Sequence, residues 1–437
     1  MSSSARTPQS TAAASAFTPV IVGGDIGAYS LARAFHEAYG LRSTVISRLQ
    51  GWHVDRSAII DNVTCGDPFD PQALGETLSG IAAEAHTSKL LLLGSADAAV
   101  KSIIRVRDEL KLLGEQWIVP YVDLATFRAG TEKQNFTELC QRLDIAHPLT
   151  RVFDLAAELP AGADGLDVPF TYPVIAKPAE VSEWKKADFV GKQKVHTVQS
   201  AQELLDLLHR IQDAGYGESI IVQDRIPGDD QNMRILTCYC DADSVVRFSS
   251  FGRTLLEEHS PGAIGNPAAI ITSVDREVTA QAQRLCKELG WTGYANFDLK
   301  YDPRDGTTKF FELNPRLGRS NYYVTAGGHN PVTWYVDEHL GAGLPTEGLG
   351  SGEGADGIVQ DQPESLYTVV PVALVKHYTT LPDAKEQLKR VLDAKRVKNP
   401  LIYRGVERNP RRWAMIAAAM ANYVRKFRRY YRPGEAE

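Results

Sequence analysis

A chain of 437 residues is long enough for two or three domains with a sizeable buried core. Its 43% hydrophobic and 23% charged residues are typical of a globular protein, and its formal net charge of -6 argues against general binding of nucleic acid. No apolar stretch of about 18 residues occurs, which argues against a membrane-spanning helix. The five cysteines include no C-x-x-C pair, so the composition favours a reduced, cytoplasmic setting.

The N-terminal part is predicted to contain a leader and a Rossmann-like domain at residues 18–125. Residues 1–17 are small and polar and lack the apolar run of a signal peptide, so we predict a disordered leader. An apolar strand, a glycine-rich turn at 23–27 and a helix over 28–38 follow. Because the turn lacks a full G-x-G-x-x-G pattern, a tight turn is favoured over a dinucleotide site. Further strands that alternate with helices indicate a parallel sheet, and they are predicted at 43–47, 89–93 and 117–119.

Residues 126–340 are predicted to mix helices and strands in an α+β pattern. Helices are expected at 131–143, 200–214 and 275–289. Strands are expected at 172–177 and 219–223, between 232 and 251, and at 294–301 and 308–313. A charged loop, 179–194, separates the first of these strands from the next helix.

Carboxylate side chains occur near the ends of the last two predicted strands. Asp298 lies on the first strand, and Glu312 and Asn314 lie on the second, after a turn at 303–306. Two adjacent antiparallel strands would place them together, since residues two apart on a strand share a face. Two carboxylates and an amide supply the hard oxygen ligands that Mg²⁺ prefers. An ordinary polar sheet face is the alternative for this hairpin taken alone.

The motif around Glu312 resembles the terminal metal motif of the ATP-grasp superfamily, and other parts of that superfamily's nucleotide site occur in the expected order. Lys133 is similar to its first phosphate-binding lysine. Lys177, which ends an apolar strand before a proline, is similar to the second. Lysine is a compact point charge able to neutralise a triphosphate, whereas a solvated surface lysine is the alternative for each. The resemblance implies ATP and Mg²⁺, the latter as two ions.

The segment 221–230 resembles the hinge strand with which this superfamily recognises adenine through main-chain groups. By that resemblance, Gln223 and the backbone of Asp224 and Ile226 would face adenine, and Asp230 would bind the ribose hydroxyls. The superfamily commonly has an acid at the position of Gln223, so the role of this side chain is open. A strand that runs into a Pro-Gly turn is the alternative. Loop 179–194 would cover the phosphates and exclude water.

Within the superfamily, the chain resembles the D-aspartate ligase group of carboxylate-amine ligases. The stretches that carry this resemblance are 28–40, 259–266 and 312–320. The resemblance implies an ATP-grasp fold with a small lobe at about 150–226 and a large lobe at about 227–340. It also implies a ligase that adds D-aspartate to the side-chain amine of the diamino acid in a peptidoglycan precursor.

Three arginines are candidates for handling charge around the reacting carboxyl group: Arg253, Arg316 and Arg319. A guanidinium can pair with a substrate carboxylate or a migrating phosphoryl group, and near the acyl carbon it stabilises the tetrahedral oxyanion. Ion pairs with neighbouring acids are the alternative. The expected reaction passes through an acyl phosphate that an amine then attacks. The alternatives in function are another ATP-grasp ligase, which forms dipeptides or carboxylates a small molecule, and a nucleotide-binding protein without turnover.

Residues 341–437 are predicted to form a linker and a C-terminal extension. Glycine, proline and acidic residues are dense over 341–364. From Trp413 onwards apolar residues recur every three or four positions beside a basic flank, which predicts a basic amphipathic helix. Packing of this helix on its own enzyme is favoured over contact with a membrane surface.

Overall fold

The computed structural model describes residues 16–179, 181–184, 186–193, 195–341 and 357–432. The predicted disordered leader, apart from its last two residues, and most of the predicted linker lie outside these ranges. The first strand begins at Phe17, at the end of the predicted leader.

The N-terminal region forms a parallel sheet in the strand order β3-β2-β1-β4-β5. Its strands are β1 (Phe17–Val22), β2 (Ser43–Ser47), β3 (Ile60–Thr64), β4 (Lys89–Gly94) and β5 (Trp117–Ile118). The connecting helices are α1 (Ile26–Tyr39), α2 (Pro71–Glu84) and α3 (Asp97–Asp108). The predicted parallel sheet is confirmed. Strand β3 was not predicted because it is an edge strand with only one fully buried side chain.

The turn after β1 is tight because β1 and β4 end side by side. Gly23 has a φ of 142°, and a Cβ at this position would lie 1.9 Å from the Ser95 hydroxyl oxygen. Asp25 then caps α1 by accepting a hydrogen bond from the Ala28 amide at 3.0 Å. Backbone geometry therefore accounts for the glycine here, as the sequence analysis favoured.

Two helices, α4 (Leu124–Thr131) and α5 (Lys133–Arg142), lead into a four-stranded antiparallel sheet. The predicted helix 131–143 is thus α5, with α4 separated from it by the extended residue Glu132. The sheet has the order β6-β9-β7-β8. Its elements are β6 (Thr150–Asp154), β7 (Val174–Pro178), α6 (Val181–Trp184), β8 (His196–Val198), α7 (Ala201–Asp213) and β9 (Ser219–Asp224). This small lobe has a hydrophobic core of its own.

The large lobe is built on a sheet in the order β14-β13-β10-β11-β12-β15-β16. Its first elements are β10 (Met233–Cys240), β11 (Val246–Glu258), β12 (Asn266–Ser273), α8 (Arg276–Leu289), β13 (Gly293–Asp302), β14 (Thr307–Asn314), α9 (Tyr322–Ala326) and α10 (Val332–Leu340). Strand β15 (Leu366–Thr368) pairs antiparallel with β12, and β16 (Val397–Lys398) pairs with β15. The sheet therefore extends beyond residue 340. The domain boundaries proposed from the sequence stay a prediction.

The C-terminal segment continues with α11 (Val372–Tyr378), α12 (Pro382–Asp393) and α13 (Pro410–Tyr430). Helix α13 buries Ile416, Tyr423 and Phe427 in the core that the N-terminal region and the large lobe share. Each such side chain contributes roughly 1.5–3 kcal/mol on burial, which is enough to hold the helix in place. The predicted amphipathic helix is confirmed, and it packs on its own chain. None of the helices in the described ranges combines the length and the apolarity that a membrane crossing needs.

Candidate functional site

A cavity of about 660 Å³ lies between the small lobe and the large lobe. Strands β7 and β9 contribute to it from one side, and β10, β13 and β14 from the other. Eight of the residues singled out in the sequence line it: Lys177, Gln223, Asp224, Ile226, Asp298, Glu312, Asn314 and Arg316. Residues from three separated segments therefore meet in one place.

The candidate metal ligands lie together on the hairpin of β13 and β14. Asp298 is opposite Glu312, and the Asn314 amide Nδ2 donates to Asp298 Oδ2 at 3.1 Å. Burial and the facing Glu312 carboxylate raise the pKa of Asp298 well above its usual value. A divalent cation would relieve the repulsion between the two carboxylates, so the pair fits Mg²⁺.

Over the described residues, no group of three or more His, Cys, Asp and Glu side chains is arranged to hold a metal. A cation at the hairpin would therefore rely on Asp298, Glu312 and the Asn314 amide oxygen, with non-protein oxygens for the rest. This donor set suits Mg²⁺, which usually keeps several waters or phosphate oxygens.

The two predicted phosphate-binding lysines differ in position. Lys177, near the end of β7, lines the cavity, and its Nζ lies 5.9 Å from the centre of the Phe311 ring. Lys133 is the half-buried first residue of α5 and does not belong to the lining. The geometry supports a phosphate contact for Lys177, whereas the phosphate contact of Lys133 stays a prediction.

The predicted hinge residues line the cavity at the end of β9. Gln223 donates from Nε2 to the Thr150 hydroxyl at 3.0 Å. The Asp224 amide donates to the Leu149 carbonyl at 2.9 Å, and Ile226 is buried. Since the Asp224 amide is already engaged, its carbonyl is the main-chain group that we expect to meet a base.

Asp230 was predicted to bind the ribose hydroxyls, and the structure does not bring it to the cavity with the other predicted hinge residues. Asp230 is 1% exposed and lies outside the cavity lining. Its carboxylate lies 3.0 Å from His259 Nε2 and accepts from the Glu257 amide at 2.8 Å. These contacts engage the carboxylate within the fold, and its contact with a ribose stays a prediction. Glu257 does line the cavity, and sequence reasoning missed it, since an acidic pair at the end of β11 was its only signal in the sequence.

The three candidate arginines also separate. Arg316 lines the cavity and pairs through Nε with Asp97 at 2.8 Å. Arg253 is 9% exposed and binds Asp383 at 2.6 Å, and Arg319 binds Glu258 at 3.0 Å. Neither Arg253 nor Arg319 lines the cavity, and both form the ion pairs that were the alternative, so a catalytic role for them stays a prediction. The ion pair of Arg253 depends on the tertiary structure, because its partner Asp383 comes from the C-terminal segment.

Sequence reasoning missed another cation of the cavity. Arg234 on β10 lies opposite Arg253 on β11 and lines the cavity. Burial, together with the charge of Arg253, lowers the pKa of Arg234 to about 9. A guanidinium held beside a like charge gains from a bound anion, so Arg234 is a further candidate for phosphate contact.

Comparison with known proteins places the chain in a family. No family model matches the chain. The chain is 32% identical, over 419 residues, to the D-aspartate ligase of Enterococcus faecium, which covers 95% of this chain and 97% of that protein. Among solved structures, the L-amino acid ligase of Bacillus licheniformis matches 74% of this chain and 73% of its own, with a TM-score of 0.51 and 16% identity.

A second solved structure carries nucleotide and metal. The biotin carboxylase domain of the 2-oxoglutarate carboxylase of Hydrogenobacter thermophilus, in complex with MgADP, ADP and bicarbonate, has a TM-score of 0.51 and 14% identity. It matches 74% of this chain and 70% of its own. These likenesses show the fold.

The fold is the ATP-grasp fold, and the chain is an ATP-dependent carboxylate-amine ligase. The 32% identity to the E. faecium ligase, over nearly the full length of both chains, shows the family as well as the fold. The chain belongs to the D-aspartate ligase family.

Proposed function

We propose that this enzyme activates the β-carboxylate of D-aspartate with ATP and joins it to the side-chain amine of the diamino acid in a peptidoglycan precursor. The observation that carries the proposal is the meeting of Lys177, the Asp298–Glu312 pair and Arg316 in one cavity. The name of the E. faecium relative supports aspartate as donor. We expect the reaction in the cytoplasm, with either a nucleotide-linked or a lipid-linked acceptor.

In the first step, a donor carboxylate oxygen attacks the γ-phosphorus of ATP. The bond from that phosphorus to the bridging oxygen of ADP breaks, which leaves an acyl phosphate and ADP. Lys177 neutralises phosphate charge, and the hinge of Gln223, Asp224 and Ile226 holds the base. Two Mg²⁺ ions bound at Asp298, Glu312 and Asn314 would neutralise and align the phosphate oxygens.

In the second step, the acceptor amine attacks the acyl carbon. The tetrahedral oxyanion collapses, phosphate leaves, and the nitrogen loses a proton to give the amide. Arg316 is the cavity guanidinium best suited to stabilise this oxyanion. It is paired with Asp97 on α3, whose side chain is about half exposed, so substrate can compete for it.

Phosphate release and product mass test the proposal directly. With ATP, Mg²⁺ and a precursor that contains a diamino acid, D-aspartate should stimulate phosphate release more than L-aspartate or neutral amino acids do. The product should gain one aspartyl residue on the side-chain amine. Equal stimulation by neutral amino acids would contradict the aspartate assignment and leave a carboxylate-amine ligase of another donor class. Equal phosphate release in the absence of the diamino-acid precursor would contradict the assignment of that precursor as the acceptor.

A further inference from the structure

Arg304 lies in the turn between β13 and β14 and contacts the small lobe. Its Nη1 and Nη2 donate to the two carboxylate oxygens of Asp224 at 3.1 and 2.6 Å. Asp224 is the last residue of β9, in the four-stranded sheet. One guanidinium therefore joins the hinge of the small lobe to the metal-binding hairpin of the large lobe.

The same guanidinium is held from behind by Asp302. Arg304 Nε donates to Asp302 Oδ1 at 2.9 Å, and Nη2 donates to Oδ2 at 2.7 Å. Asp302 is fully buried and also accepts from Lys309 Nζ at 2.6 Å. Although burial favours protonation, the hydrogen bonds from Arg304 and Lys309 hold the pKa of Asp302 well below its usual range. Arg304 is thus fixed in one orientation by a carboxylate that stays charged.

The hairpin of β13 and β14 carries the candidate metal ligands and also the arginine that contacts the hinge. Asp298 precedes Asp302 by four residues on β13, which is roughly 13 Å along a strand at about 3.3 Å per residue. Glu312 lies opposite Asp298 on β14. The distance between the metal ligands and the hinge is therefore set by strand β13 and by Arg304, which binds a carboxylate in each lobe.

We propose that Arg304 is a positioning residue for nucleotide binding, which fixes the Asp224 hinge relative to the metal ligands. This rests on the proposed function only in that the cavity takes a nucleotide. Because the Asp224 amide is bound to the Leu149 carbonyl, a second fixed point at the Asp224 carboxylate restricts the direction of its main-chain carbonyl. A lysine cannot reproduce the effect, since its ammonium lacks the planar fork that engages two carboxylates at once.

Binding of ADP and of inorganic triphosphate, each with Mg²⁺, tests the proposal by calorimetry. Arg304→Met should weaken ADP binding about fivefold or more through loss of a charge-assisted contact, and leave triphosphate binding unchanged. Asp224→Asn should act alike, and the double variant should be no worse than either single variant, since both remove one interaction. Arg304→Lys should recover only part of the affinity.

Arg142→Met is the matched control, because Arg142 pairs with Glu288 on an exposed surface between α5 and α8. It should bind ADP as the wild type does. Unchanged ADP affinity in Arg304→Met overturns the proposal, and so does an equal loss of ADP and triphosphate affinity, which would mark a general structural role. A wild-type chain that binds no ADP would contradict the proposed function itself.

Discussion

The cavity between the lobes and the junction between the C-terminal segment and the N-terminal region both concentrate charge, but they compensate it differently. At the junction, Arg412 Nε lies 3.3 Å from Glu407 Oε1, and both side chains are fully buried. Glu407 also accepts a hydrogen bond from the Tyr29 hydroxyl at 3.0 Å. Arg412 donates to two main-chain carbonyls in the loop 53–55 at 2.9 and 3.0 Å. At the junction, the opposite charges of Arg412 and Glu407 therefore compensate each other within the fold.

In the cavity, like charges lie side by side. Asp298 faces Glu312 across the hairpin. Arg234 faces Arg253, which lies outside the cavity lining and is paired with Asp383. Such pairs destabilise a fold unless something else compensates them. A role in binding a cation explains the carboxylate pair of Asp298 and Glu312, whereas a structural role does not. Burial of a charged side chain does not by itself distinguish a binding site from a structural ion pair. The sign of the neighbouring charges does.

The largest effect is expected from Glu312→Gln, which removes one charged metal ligand. Phosphate release should be abolished, while the melting temperature without Mg²⁺ should stay equal or rise, because a repulsive pair is lost. Phosphate release and thermal unfolding measure the two effects. Glu109→Gln, at the exposed residue directly after α3, is the control and should keep full activity. Wild-type turnover in Glu312→Gln would refute the metal assignment.

Arg412→Met should instead damage the fold. Removing one partner of a buried ion pair leaves Glu407 uncompensated and should cost about 3–5 kcal/mol in the free energy of unfolding. Denaturant unfolding measures this, and turnover per folded molecule at low temperature should be retained. The neighbouring exposed Arg411→Met is the control. If both variants unfold alike, the junction is not held by this pair.

Lys177→Ala should weaken ATP binding by about tenfold or more, since a charge-assisted phosphate contact contributes roughly 1.5–3 kcal/mol. Calorimetry with a non-hydrolysable ATP analogue gives the affinity. Lys101→Ala, an exposed lysine on α3, should bind as the wild type does. Unaltered affinity for the ATP analogue in Lys177→Ala would contradict the contact between Lys177 and the triphosphate.

The smallest effect is expected from Arg276→Ala. Its ion pair with Asp361 has side chains that are 52% and 63% exposed. Exposed pairs contribute about 0–1 kcal/mol because water and salt screen them, so stability should stay close to that of the wild type. A loss as large as that of Arg412→Met would show that exposure does not decide the contribution of charge in this protein.

The sequence by itself determined the elements and their chemistry to a large extent. Alternating apolar patterns predicted the parallel N-terminal sheet and the two strands with Asp298 and Glu312, because strand periodicity is a local property. The spacing of two residues between Glu312 and Asn314 already indicated a shared face. The periodicity after Trp413 predicted helix α13 and its buried side.

Only the tertiary structure decided which charged side chains reach the cavity. Arg253, Arg316 and Arg319 look equivalent in the sequence, yet Asp383 and Glu258 engage two of them and only Arg316 reaches the lining. Asp230 likewise turns towards His259, 29 residues further along the chain. The partner of a charge comes from whichever distant segment packs beside it, and that packing follows from burial of the apolar core as a whole, which no local pattern encodes.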